Sequence, residues 1–160
     1  MRQPIRGPMT TIKSIFFDIG DTLGTAVFSP PPVRLVRLDL FSYVPALLRS
    51  LADRSLRLGI ISNTGDMDGA SVDKILNKAG IRDFFDASLR LYSEDVGLRK
   101  DSPEIFRVAV QRAGSAGMPQ ACLFVGEDET ERGFAIAAGL QACPHPLLVN
   151  EVLDGHPSGS

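Results

Sequence analysis

Cysteine is scarce in this 160-residue chain: Cys122 and Cys143 are its two cysteines. They are too few for a disulfide framework and lack the paired spacing of a structural zinc site, which fits a reducing, cytoplasmic compartment. An excess of one charge is missing too, since Lys+Arg 17 stand against Asp+Glu 19 for a formal net charge of -2. Attraction of the whole molecule to nucleic acid or to an anionic membrane is therefore not indicated, and any anion site has to be local. Long apolar runs are also wanting. The first, Ile15 to Phe17, is broken by Asp18, too soon for a signal-peptide core or a membrane span. No internal repeat of the solenoid or propeller kind is present.

What is present is an ordinary globular composition, 44% hydrophobic and 22% charged over 160 residues, enough for one core and too little for two. Residues 1–10, with Pro4, Gly7 and Pro8, lack periodicity and are expected to be a loose extension. Residues 11–152 are expected to form a single domain, and residues 153–160, rich in Gly, Ser, Pro and His, a flexible tail. Strands are predicted at Ser14 to Phe17, Leu58 to Ser62, Ala87 to Leu91, Ala121 to Val125 and Leu147 to Val149. These runs are near-continuously apolar, as strands covered on both faces should be. Helical spacing predicts Tyr43 to Ala52, Ala70 to Lys78, Pro103 to Ala113 and Glu131 to Ala138. Between Thr25 and about Leu40, Ser29-Pro30-Pro31-Pro32 excludes helix and central strand and predicts a loop over the sheet's edge. The alternation of strand and helix predicts an α/β fold, a Rossmann-like three-layer sandwich with a mostly parallel sheet and helices on both faces.

In such sheets ligands bind beyond the carboxyl ends of the strands, so the residues that directly follow the apolar runs matter most. Four places stand out: Asp18 with Gly20 and Asp21 in FFDIGDTLG, Ser62 and Asn63 in IISNTG, Lys100 in VGLRKDSPEIF, and the acidic run Glu127 to Glu131. A carboxylate nucleophile, a hydroxyl, an ammonium and further carboxylates are what metal-assisted phosphoryl transfer requires. The carboxylate attacks phosphorus, the hydroxyl and ammonium hold its oxygens, and Mg²⁺, a hard cation, takes oxygen ligands. Taken one at a time each place has a plainer explanation: a turn-forming aspartate, a turn cap, a solvated lysine, a charged surface loop.

Four such motifs in this order resemble the haloacid dehalogenase-like (HAD) hydrolase superfamily, over about Lys13 to Val149. The resemblance implies Asp18 as nucleophile and Lys100 as its catalytic partner, with Ser62, Asn63 and Lys100 binding phosphate. It also implies Mg²⁺ held by Asp18, the Gly20 carbonyl, Glu127 as first choice in the fourth motif and Asp128 as second, with Glu131 as the second acid there. The expected activity is hydrolysis of phosphomonoesters through an aspartyl-phosphate.

Two departures qualify the resemblance. Phosphatases of the superfamily usually carry an acid/base aspartate two residues after the nucleophile, where this chain has Gly20; Asp21, one position on, points elsewhere and does not simply inherit the role. The alternative implied is a non-catalytic or weakly active protein that keeps the fold for binding. The second departure is the absence of room for an inserted cap domain, either between Gly24 and Leu58 or between Gly65 and Lys100. The open site suits a macromolecular substrate or completion by another subunit in a homo-oligomer, the expected partner being a phosphorylated small molecule or macromolecule, and it makes dehalogenation of a small halo acid unexpected. Arg34 and Arg37 are candidates for substrate recognition beside the plainer reading as surface charge.

Overall fold

Four consecutive buried residues, Ser14-Ile15-Phe16-Phe17, form β1 (Ser14–Phe17), and only a strand flanked on both sides and covered on both faces can bury every residue in this way. β1 pairs in parallel with β4 (Arg57–Ser62) and with β6 (Cys122–Val125). β5 (Arg90–Tyr92) lies beyond β4 and β7 (Gln141–Cys143) beyond β6, giving the order β5-β4-β1-β6-β7 with all pairings parallel. The computed structural model of the chain describes residues 11–155; of the ends expected to be loose, residues 1–10 and 156–160 lie outside them, while Leu153, the first residue of the expected tail, ends a helix.

Because side chains alternate along a strand, the sheet sorts its residues into two cores. Phe17, Ile60 and Val125 pack under α1 (Val44–Asp53), α2 (Gly69–Lys78) and α6 (Val149–Leu153). Phe16, Ile61 and Phe124 pack under α4 (Glu104–Arg112) and α5 (Glu129–Ala137). The architecture is thus the three-layer α/β sandwich read from the alternation of strands and helices. A short helix, α3 (Ser93–Val96), follows β5 and ends at Gly97 in a left-handed conformation. Among the described residues no helix is long and apolar enough to cross a membrane.

Three readings of the sequence are corrected. Thr25 to Leu40 is not a loop but an antiparallel hairpin, β2 (Gly24–Phe28) and β3 (Leu35–Leu40), with an irregularity at Val27/Phe28. The prolines are confined to its tip, where no ladder N–H is needed, and Ser29 closes the tip by donating its N–H to Arg34 O at 2.8 Å. Leu147 to Val149 is not the fifth strand. Pro146–Leu148 is a 3-10 turn that runs into α6, and the edge strand is the less apolar Gln141–Cys143. Ala87 to Leu91 is a strand only in its second half, since Asp86 accepts from Ser88 N and winds Ala87–Leu89 into a 3-10 turn. Between β1 and β4 the chain inserts only the hairpin and α1, and between β4 and Lys100 only α2, β5, α3 and short turns.

Gly59, in the middle of β4, lets Phe16 of β1 and Leu89 just before β5 close in on it. A Cβ there would stand 2.6 Å from Leu89 O and 2.7 Å from Phe16 Cδ1, distances at which backbone or a packed ring has to move. Gly59→Ala is expected to lower the unfolding free energy by about 1–3 kcal/mol, the usual cost of overpacking, with the shift read from the urea midpoint of the purified variant.

Candidate active site

The chain leaves β1 toward β4 on one side and returns to β6 on the other, so a crevice opens at the carboxyl ends of these strands, where chain direction reverses. A cavity of about 410 Å³ occupies it. Asp18 directly follows β1 and Ser62 ends β4, and both line this cavity together with Asn63, Lys100 and Glu131. Gly126 lets the β6 end come close: a Cβ there would lie 3.6 Å from Asp18 Cβ and would strike the Phe124 ring. Arg132 holds the same turn by donating to Gly126 O at 2.8 Å.

At the centre is the Lys100 ammonium. The residue is 4% exposed, and an ammonium so buried has to be paired. Nζ donates to Asp18 Oδ1 at 2.6 Å and lies 2.7 Å from Glu131 Oε1, with the Phe124 ring centroid 5.8 Å away. The Lys100 backbone N–H donates to Asn63 Oδ1 at 2.9 Å, which ties the loop bearing the lysine to the end of β4. Behind it, Ser93 Oγ accepts from Thr64 N at 2.8 Å. Ser93, silent in the sequence, thereby fixes the course of the Asn63 loop.

The residues named from sequence divide accordingly. Asp18, Ser62, Asn63, Gly20 and Lys100 come together in the cavity. Glu127 and Asp128 do not: both are exposed and outside its lining. Asp128 Oδ1 is occupied in accepting from Glu131 N at 2.9 Å, which makes it the N-cap of α5. The acid that enters is Glu131, the last residue of the same run. The spacing Asp128-Glu129-Thr130-Glu131 is that of a helix cap, a signal that already assigned Asp128 to backbone. Asp21 is exposed at φ 60° and outside the cavity. Arg37 pairs with Asp39 at 2.7 Å outside the cavity, whereas Arg34 lies at its mouth, 3.4 Å from Asp66.

Electrostatically the cavity floor is two carboxylates sharing one cation. Burial pushes the Glu131 carboxyl above its ordinary value, Lys100 opposes the rise, and the nearby Asp18 and Asp128 add to it. Glu131 Oε1 is buried and, although close to Nζ, has no hydrogen-bond donor aligned on it, so a lone pair remains for a hard cation. Asp18, the Gly20 carbonyl and Glu131 form an all-oxygen donor set whose chemistry fits Mg²⁺, with Glu131 in the place expected of Glu127 or Asp128.

Removing the ammonium should turn this floor into a pH-dependent liability. In Lys100→Met the two carboxyls lose their shared cation and the folded-state value of Glu131, already raised, rises further. The folded state then binds more protons than the unfolded chain, and stability falls as pH climbs from about 4, the unfolded carboxyl value. The variant is expected to lose about 3–5 kcal/mol near neutral pH and to regain part of it at pH 4.5, as measured by urea denaturation at both values.

Comparison with known proteins agrees with this architecture. A family model described as haloacid dehalogenase-like hydrolase matches residues 21–139. An (S)-2-haloacid dehalogenase of Pseudomonas sp. (strain YL) is 33% identical over 108 residues, which cover 68% of this chain and 44% of that protein. The chain thus spans less than half the length of this curated relative. An uncharacterized protein from Listeria monocytogenes serotype 4b superposes with a TM-score of 0.72 at 18% identity, over 89% of this chain and 97% of the other. A HAD-superfamily hydrolase, subfamily IA, variant 1, from Geobacter sulfurreducens PCA superposes with a TM-score of 0.65 at 18% identity, over 89% and 100%. At these identities the superpositions speak for the fold alone. The match to the family model, spanning well over half of the chain, makes the protein a member of the haloacid dehalogenase-like hydrolase family, of the kind with no domain inserted after the first or the second strand-end motif.

Proposed function

We propose that this hydrolase acts on phosphomonoesters, with Asp18 as the nucleophile and Mg²⁺ as cofactor. The observation that carries the reading is the convergence of Asp18, Ser62, Lys100 and Glu131 on one cavity at the carboxyl edge of a parallel sheet. An Asp18 carboxylate oxygen attacks phosphorus, the P–O bond to the alcohol breaks, and an aspartyl-phosphate results. Lys100 holds Asp18 Oδ1 in place and offsets the negative charge of the phosphoryl group as it approaches. The Ser62 hydroxyl donates to a phosphoryl oxygen. Asn63, whose Oδ1 is engaged by the Lys100 backbone, offers its Nδ2 for the same purpose. Water then attacks phosphorus and restores the Asp18 carboxylate. When bound, Mg²⁺ supplies charge neutralisation to the phosphoryl oxygens; Asp18, the Gly20 carbonyl and Glu131 are the groups to hold it.

A second reading, a binding protein of this fold with little turnover, is favoured by one observation. Gly20 leaves the site without a carboxylate to protonate the leaving oxygen and activate water, work typically worth about 10²–10⁴-fold in rate. The position has room for one, because a Cβ at Gly20 would meet only Ala26 Cβ, at an ordinary 3.6 Å.

The deciding assay is phosphate release from an aryl phosphate and from sugar and nucleotide phosphates, with Mg²⁺ or EDTA, run beside chloride release from (S)-2-chloropropionate. Metal-dependent phosphate release that disappears in Asp18→Asn and Lys100→Ala is the expected result. Gly20→Asp should raise the rate by about 10²–10⁴-fold where the missing acid/base limits it. Chloride release without phosphate release would replace the phosphatase reading by dehalogenation, and phosphate binding without either product would favour the second reading.

A further inference from the structure

The cavity has two unlike halves, and the half not used by the phosphoryl group has a chemistry of its own. Opposite Asp18 and Lys100 the hairpin contributes Ala26, Phe28, Val33 and Leu35, and the β4–α2 segment adds Met67 and Val72. These six side chains are apolar. Phe28 is 57% and Val33 63% exposed, large for apolar groups facing a cavity whose floor is charged. The wall is anchored to the body of the protein: Leu35 N donates to Met67 Sδ at 3.3 Å, Leu38 is buried in the core, and Arg34 bridges to Asp66 at the mouth.

Charge narrows the occupant further. The cavity is lined by three carboxylates, Asp18, Asp66 and Glu131, against two cations, Arg34 and Lys100. Lys100 is taken by Asp18 and Glu131, and Arg34 by Asp66. One phosphoryl group with its divalent cation uses the floor, and a second anionic group would have to compete with Asp66 for Arg34, the one cation left at the cavity among the described residues. Gly20 adds a chemical restriction. With no acid two residues after Asp18, a leaving group that departs as a stabilised oxyanion, such as a phenolate, is favoured over an aliphatic alcohol.

Resting on the phosphatase reading above, we infer that the substrates are phosphate monoesters of uncharged phenols, with the aromatic ring seated against Phe28 and Val33. The Asp18 Oδ–P bond forms as the P–O(aryl) bond breaks, and the electron pair departs on the phenolate oxygen, which takes its proton from water outside the bond-breaking step. Water then attacks phosphorus, the Oδ–P bond breaks, and inorganic phosphate leaves. Phe28 and Val33 decide which alcohol is accepted; they do not touch the reacting atoms.

Two measurements on the full chain with Mg²⁺ test this. The first is calorimetric binding of inorganic phosphate, phenylphosphonate, 2-hydroxyethylphosphonate and 3-phosphonopropionate, none of which can be turned over. Phenylphosphonate is expected to bind at least about tenfold tighter than the polar and the anionic phosphonates, and Phe28→Ser and Val33→Ser, at exposed positions, should each shrink that ratio. The second is the ratio of kcat/KM for phenyl phosphate to benzyl phosphate, two apolar esters that differ in leaving-group stability. It is expected to be about tenfold or more in the wild type and to narrow in Gly20→Asp. Equal or tighter binding of a polar or anionic phosphonate, or a phenyl preference untouched in both serine variants, overturns the inference while leaving the phosphatase reading in place. So does equal turnover of the benzyl and phenyl esters. Failure to bind inorganic phosphate, or to release it from either ester, removes both.

Discussion

A buried ammonium that has to be neutralised organises this protein. Lys100 lies on a turn between α3 and α4, far in sequence from either of its partners, and its side chain is inaccessible to water. Folding such a group without carboxylates beside it would cost several kcal/mol. The end of β1 and the start of α5 therefore have to arrive at the same point, and the parallel pairing of β1 with β6 brings them there. The Asn63 carboxamide completes the arrangement by holding the backbone of the lysine itself. Stability and the proposed chemistry draw on the same contacts here: the ion cluster that closes the fold is also the set of groups to which phosphoryl transfer is assigned above.

Much of this was legible in the sequence because the physics is local. Phe16-Phe17 followed by Asp18, and Ile60-Ile61 followed by Ser62, announce covered strands that end in chemistry, and each forms where the apolar run predicts. What escaped was decided by capping and by distance. Glu131 rather than Glu127 enters the site because Asp128 ends the loop by capping α5, which fixes the rotation of the first helical turn and with it the direction of the next acid. The hairpin was hidden by its three prolines, which occupy only the tip. The edge strand Gln141–Cys143 was hidden by its brevity; a strand at a sheet margin needs neither length nor a continuous apolar run. Ser93 could not be read as a support for the Asn63 loop because that relation exists only once β5 lies beside β4.

Gly20 and Asp21 form an instructive pair. The backbone at Asp21 is left-handed, a conformation that favours glycine and that aspartate tolerates better than most residues. Position 20, where a side chain has open space toward the hairpin, carries the glycine. The chain thus keeps an acid next to the site in sequence while turning it out to solvent, and the floor of the cavity retains two carboxylates rather than three. In the proposed phosphatase reading, phosphate recognition would survive this arrangement, because it would rest on Ser62, Asn63 and Lys100, whereas proton delivery to a leaving group would not.

The hairpin is a separate two-stranded sheet, bonded to its own partner strand and not to the five-stranded core. Its exposed wall residues therefore sit outside the network that holds Lys100, Asp18 and Glu131 together. A substitution at Phe28 or Val33 changes a surface that no strand of the central sheet leans on, whereas a substitution at Asn63 or Gly126 disturbs the floor directly. Under the substrate proposal, selectivity and reactivity are therefore mutationally separable: hairpin substitutions would change which alcohol is accepted and leave the Asp18–Lys100–Glu131 cluster intact.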